Sequence, residues 1–152
     1  VSGERLFVGI GNPLRGDDAA GLLAARALRR HAPAGIEVRE LEGEPVGLID
    51  AWAGAETVVV ADAVASGGEP GELHRIDAGA APLPAAFAGP STHALGLAEA
   101  VELARALGRL PPRLVVYGIE AAGFATGADP TPAVRAGAER AASSAAAELA
   151  GG

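Results

Sequence analysis

Four side chains stand where a reaction could be carried out. Asp17 and Asp18 close the run Gly9-Ile10-Gly11-Asn12-Pro13-Leu14-Arg15-Gly16-Asp17-Asp18, Asp62 ends Thr57-Val58-Val59-Val60-Ala61-Asp62, and His93 sits in Ser91-Thr92-His93-Ala94-Leu95-Gly96-Leu97. Carboxylates and imidazoles bind divalent ions and move protons near neutral pH. Together, Asp18, Asp62 and His93 offer two oxygen ligands and one nitrogen, a mixed set suited to Zn²⁺, Ni²⁺ or a related ion with open coordination positions. Their separations are too long for a local motif, so the set exists only if the fold gathers it.

Each residue also has an ordinary structural role. The glycines near Ile10 lack both the Rossmann spacing and the Gly-Lys-Ser/Thr ending of a P-loop, so they read first as a tight corner and only weakly as a nucleotide site. Asp17 suits a helix cap, while Asp18 is either a ligand or a solvated first-turn acid. Asp62 follows a β-branched run, and a carboxylate buried there requires a hydrogen bond, a cation or a proton. Its two readings are a binding or catalytic role and a turn cap. His93, in the first turn of a helix, is biased towards neutral imidazole by the helix dipole, as ligand, base or packed side chain. His31, at a basic helix end, and His74, on an edge strand, are weaker candidates. Serine catalysis finds no Gly-x-Ser-x-Gly elbow, and Ser66 and Ser91 lie in loops without a triad order. An Asp18/Asp62 pair sharing a proton is a further acid–base device.

The elements that would position these groups follow from periodicity. Leu6 to Ile10, Ile36 to Leu41, Thr57 to Ala63 and Leu114 to Ile119 read as strands, the apolar runs among them without alternation as buried ones, while Glu72 to Asp77 alternates and reads as a partly exposed, antiparallel edge strand. A helix is expected from Asp17 towards His31, ended by Pro33 and Gly35, and a short one through Leu48, Ile49 and Trp52. A third, capped by Ser91 or Thr92, carries the stripe Leu97, Val101, Ala104 and Leu107. The last starts after Thr131 with Pro132 at its first position. Ala78 to Thr92 reads as a surface loop or lid. The order predicts a three-layer α/β domain over residues 1–152, with a mostly parallel twisted sheet of about five strands and possible antiparallel pairing at one edge.

The chain of 152 residues, 49% apolar and 20% charged, has the balance of one folded domain rather than a disordered chain. A formal charge of −7 argues against nucleic-acid binding. The absence of cysteine excludes thiolate chemistry and cysteine-ligated metals. Residues 1 to 20 read as neither a signal peptide nor a membrane span. The expected setting is cytoplasmic.

The ordered motifs Val8 to Asp18, Val60-Ala61-Asp62-Ala63, Pro70-Gly71, Ser91 to Leu97 and Val116-Tyr117-Gly118-Ile119-Glu120 resemble those of the hydrogenase maturation endopeptidases. These remove a C-terminal extension from the large subunit of nickel–iron hydrogenases. The resemblance spans about residues 5 to 140, and the ordered set is far more specific than its first motif alone. It implies that Asp18, Asp62 and His93 gather around a metal and serve both as its ligands and as the catalytic residues. It further implies that the metal is nickel carried by the precursor substrate, with zinc or another divalent ion an in-vitro substitute. Two accounts of that metal stay open: a Lewis acid at the scissile carbonyl, or a docking point that makes cleavage conditional on nickel insertion. Recognition with some direct catalytic help is the favoured account. Family members carry Glu or Asp at the Asp18 position, and the shorter Asp must sit closer to the ion.

One departure stands out. Many relatives have Asp-Gly-Gly-Thr after the second strand, where this chain has Glu42-Gly43-Glu44-Pro45. Glu42 and Glu44 either select the hydrogenase partner or are solvated loop acids. The competing functions are a non-catalytic nickel-dependent chaperone of the same precursor and, more remotely, a small phosphate or nucleotide hydrolase using Gly11 to Asp18.

Overall fold

The computed structural model describes residues 5–12, 16–31, 34–84, 92–122 and 129–150, with the backbone alone over 92–95. In chain order the elements are β1 (Arg5–Ile10), a 3₁₀ turn (Gly16–Ala19), α1 (Ala20–His31), β2 (Glu37–Leu41), α2 (Pro45–Trp52), β3 (Thr57–Val64), β4 (Leu73–Asp77), α3 (Thr92–Leu107), β5 (Arg113–Glu120) and α4 (Pro132–Ala150). The sheet order is β2-β1-β3-β5-β4. All pairs are parallel except β4 against β5. This is the three-layer α/β architecture expected from the sequence, with the antiparallel strand at the edge where the alternation of residues 72 to 77 put it.

Alternation along the strands sends side chains to opposite helical layers. Leu6, Val8, Ile10, Val58, Val60, Leu114 and Val116 pack under α2 and α3, through Leu48, Ile49, Trp52, Leu97 and Val101. Phe7, Val59, Ala61, Val115, Tyr117 and Ile119 pack under α1 and α4, whose buried faces are mostly alanine. Strands β3 and β5 are covered on both faces, which is why their sequences are apolar without a period of two.

Alanine and glycine let α1 lie close on the sheet. A β-carbon on Gly21 would sit 2.2 Å from the Ile10 carbonyl oxygen and 2.3 Å from that of Ala61. One on Gly9, across the same contact, would sit 2.2 Å from the Gly21 oxygen. Only glycine permits this approach of helix to strand backbone.

Several boundaries differ from the sequence expectation, for local reasons. The helix expected from Asp17 opens as the 3₁₀ turn and becomes α-helical at Ala20, a common way for helices to start. Strands β3 and β5 run further than Ala63 and Ile119 because the Ala121 N–H donates to Val64 O at 2.9 Å and the Glu120 N–H to Glu72 O at 2.9 Å. The Pro132 start of α4 is as expected. Of the irregular stretch from Ala78 to Thr92, residues 78–84 form no helix or strand, and Arg105 Nη2 holds the Ala78 carbonyl at 2.8 Å. Ser91 and the rest of that stretch up to α3 lie outside the described residues, as does the side chain of Thr92. Among the described residues no helix is long and apolar enough to cross a membrane.

Candidate functional site

The carboxyl ends of β1, β3 and β5 form one edge of the sheet, the place where open α/β sheets bind ligands. At the end of β1 the chain leaves through Gly11 and Asn12. The Gly11 N–H donates to Leu41 O at 3.2 Å, and the Asn12 N–H donates to Asp18 O at 3.2 Å. The corner therefore folds back so that the 3₁₀ turn lies over the strand end, packed on β3. Asp18 is fully buried there.

Asp62 lies on β3, one residue beyond Ala61, which pairs with Gly9. It is fully buried, and its Oδ1 accepts the Ala63 N–H at 2.8 Å. By alternation with Val60 and Val64 it faces the α2 and α3 side. Asp18 thus lies in the turn over the end of β1, and Asp62 lies on the neighbouring strand β3.

Residue 93 is the second residue of α3. The start of that helix is brought to the same edge by a contact between glycines. A β-carbon on Gly96 would lie 2.2 Å from the Gly43 carbonyl oxygen, and Gly43 directly follows the end of β2. The imidazole of His93 lies outside the described atoms. Among the described residues no group of three or more His, Asp or Glu side chains forms a metal site.

Asp17 reaches to a distant part of the chain. Its carboxylate accepts the Ala122 N–H at 2.7 Å, the Thr131 N–H at 2.7 Å and the Thr131 hydroxyl at 3.2 Å to each oxygen. These partners come from the two sides of the β5–α4 connection. Asp17 therefore ties that connection to the turn that carries Asp18. Glu44 is the N-cap of α2 and accepts from Val46 N at 2.8 Å and Gly47 N at 2.9 Å, so it is an exposed loop acid with a capping task. Glu42 is exposed beside it.

Two polar clusters have little local signal in the sequence. Glu120, 1% exposed, accepts the Ser66 N–H at 2.7 Å, the Ser66 hydroxyl, and His74 Nε2 at 2.9 Å. Burial alone would push its pKa up. The Ser66 and His74 hydrogen bonds outweigh that and hold it below the ordinary value. On the opposite face, Glu148 accepts from Arg75, Arg113 and Tyr117. The Arg75 hydrogen bond is the main cause that lowers its pKa; burial opposes it, while Tyr117 and Arg113 add to the lowering. Only the unusual Glu closing an apolar strand hinted at the first cluster.

The fold and this edge define a class of protein, an α/β domain with two buried aspartates near adjoining strand ends and the start of a helix at the same edge. The family model for hydrogenase maturation protease matches residues 26–148. The chain belongs to that family. It is 35% identical over 119 residues to the hydrogenase expression/formation protein HupD of Thiocapsa roseopersicina, a match covering 77% of this chain and 54% of that protein. The chain thus spans about half the length of that curated relative. The hydrogenase maturating endopeptidase HybD from E. coli superposes with a TM-score of 0.81 at 28% identity, covering 97% of this chain and 93% of the other. For the [NiFe] hydrogenase maturation protease HybD from Thermococcus kodakarensis the TM-score is 0.75 at 26% identity, covering 96% and 99%.

Proposed function

We propose that this chain is an endopeptidase that removes the C-terminal extension of a nickel–iron hydrogenase large-subunit precursor after nickel insertion. The observation that carries the reading is the near-complete superposition on E. coli HybD together with the burial of Asp18 and Asp62 near adjoining strand ends. Nickel enters this account as cargo of the substrate. Two carboxylates and the imidazole of His93 are a donor set that suits a divalent ion of its kind, and zinc could replace it in vitro.

Peptide hydrolysis needs a water oxygen to attack the scissile carbonyl carbon while a base takes the water proton. In this reading Asp18 or Asp62 takes it. Their burial excludes bulk water from around them, which strengthens their electrostatic effect on the attacking oxygen. Partner and setting follow from the same reading: the large-subunit precursor, met in the cytoplasm.

The test mixes purified chain with nickel-loaded precursor and follows the mass of the large subunit. A single shortened product is expected. Asp18→Asn, Asp62→Asn and His93→Ala should each slow its appearance by about 100-fold or more. Stable binding of the wild-type chain with no change in mass would replace the protease by a nickel-dependent chaperone.

A further inference from the structure

The paired registers place three residues in one row across the sheet. Asp62 on β3 pairs with Gly118 on β5, and Gly118 pairs with His74 on β4. Strands lie about 4.8 Å apart, so the Asp62 and His74 α-carbons are about 10 Å from each other. Both face the α2 and α3 side, because Val60 and Val64 flank Asp62 there and Ile76, two residues after His74, packs against the same cluster. Gly118 puts no side chain between them. An imidazole and a carboxylate therefore stand in one row on the same face of the sheet.

The imidazole is also oriented. The Glu120 carboxylate, kept ionised by Ser66 and His74, can only accept, so His74 Nε2 carries the proton of their 2.9 Å hydrogen bond. In the neutral ring this leaves the lone pair on Nδ1. A carboxylate that fixes the tautomer of a neighbouring histidine is the arrangement by which acid–base imidazoles are prepared. The His74 side chain is 32% exposed and Glu120 only 1%, so the ring can meet a substrate while its anchor stays dry. The other charged groups nearby are Glu72, which with Glu120 borders Gly68, and Arg75, which turns to the opposite face and binds Glu148.

We propose that His74 is the general acid of the hydrolysis, an inference that rests on the peptidase reading above. The water oxygen bonds to the scissile carbon, and its proton passes to an aspartate of the Asp18/Asp62 pair. The tetrahedral intermediate then breaks its C–N bond as protonated His74 gives a proton to the leaving nitrogen. The products are a carboxyl group and an amine, and the aspartate's proton restores the starting state by way of His74 or solvent. Glu120 is a positioning residue that acts through His74.

The experiment uses the full chain and nickel-loaded precursor in single-turnover cleavage. His74→Gln keeps an N–H donor for Glu120 but has no titratable nitrogen. It is expected to lower the maximal single-turnover rate by about 100-fold, with the half-saturating precursor concentration within about twofold. His74→Ala should fall as far and regain activity with added imidazoles, the rescued rate depending on the pKa of the added base, which a purely structural gap would not produce. Cleavage by His74→Gln at the wild-type rate, or a rescue that is absent or indifferent to pKa, overturns the proposal. Failure of the wild-type chain to cut at all overturns the peptidase reading instead.

Discussion

Replacing Asp17 by Ala removes the acceptor shared by Ala122 N–H, Thr131 N–H and the Thr131 hydroxyl. The hydroxyl can turn to another acceptor, but the amide N–H groups cannot turn. These donors are part-buried; a buried donor left without a partner costs about 1–3 kcal/mol and access of water reduces that, so a loss of about 3 kcal/mol is expected for the set. For a domain of this size about 2–4 °C of melting temperature corresponds to each kcal/mol, giving a drop of about 6–12 °C. Thermal and urea unfolding at pH 7 read it directly. Asp17→Asn should lose about half as much, since its oxygen still serves one amide while its NH₂ group faces the other. The double variant with Thr131→Val should be less destabilised than the sum of the two changes, because they share partners. A drop below about 2 °C for Asp17→Ala, or strict additivity with Thr131→Val, would refute the view that this carboxylate clamps the β5–α4 connection.

Two other perturbations test the frame. Glu148 has a folded-state pKa below its ordinary value, so it contributes stability that is present above the unfolded-state pKa and is lost as pH falls through the folded one. Urea midpoints measured from pH 7 down to pH 3 should therefore fall less steeply for Glu148→Gln than for the wild type, and equal slopes would count against the Arg75–Glu148 pairing as the cause. Gly21→Ala would place a methyl group 2.2 Å from the Ile10 carbonyl oxygen. It should cost about 3 kcal/mol or prevent soluble expression, and a change within about 0.5 kcal/mol would mean that α1 can lift off the sheet without penalty.

What the sequence made legible is what depends on nearest neighbours along the chain. Runs such as Thr57-Val58-Val59-Val60 announce a strand covered on both sides, Thr131-Pro132 announces a helix start, and Asp62 stands out as a charge at the end of an apolar run. The alternation of residues 72 to 77 marked the edge strand because one face of it meets water. The roles of Asp17, Glu120 and Glu148 could not be read in this way. Their partners lie far along the chain, Ala122 and Thr131 for Asp17, Ser66 and His74 for Glu120, Arg75 for Glu148, and only the strand order brings them together. His74 is hidden for the same reason: on an edge strand taken alone it is a surface residue, and its place in the row with Gly118 and Asp62 appears only from pairing.

The two faces of the sheet differ in how much change they can absorb. Under α1 and α4 the helices contribute mostly alanine and glycine to the contact, so a larger side chain at those helix positions must push a helix away. Under α2 and α3 they are made by leucine, valine and tryptophan, whose volumes can be traded among neighbours. Asp62 and His74 lie on that second side of the sheet. Inherited variation is thus channelled: one side of the molecule is a fixed keel, and the other can be repacked without disturbing it.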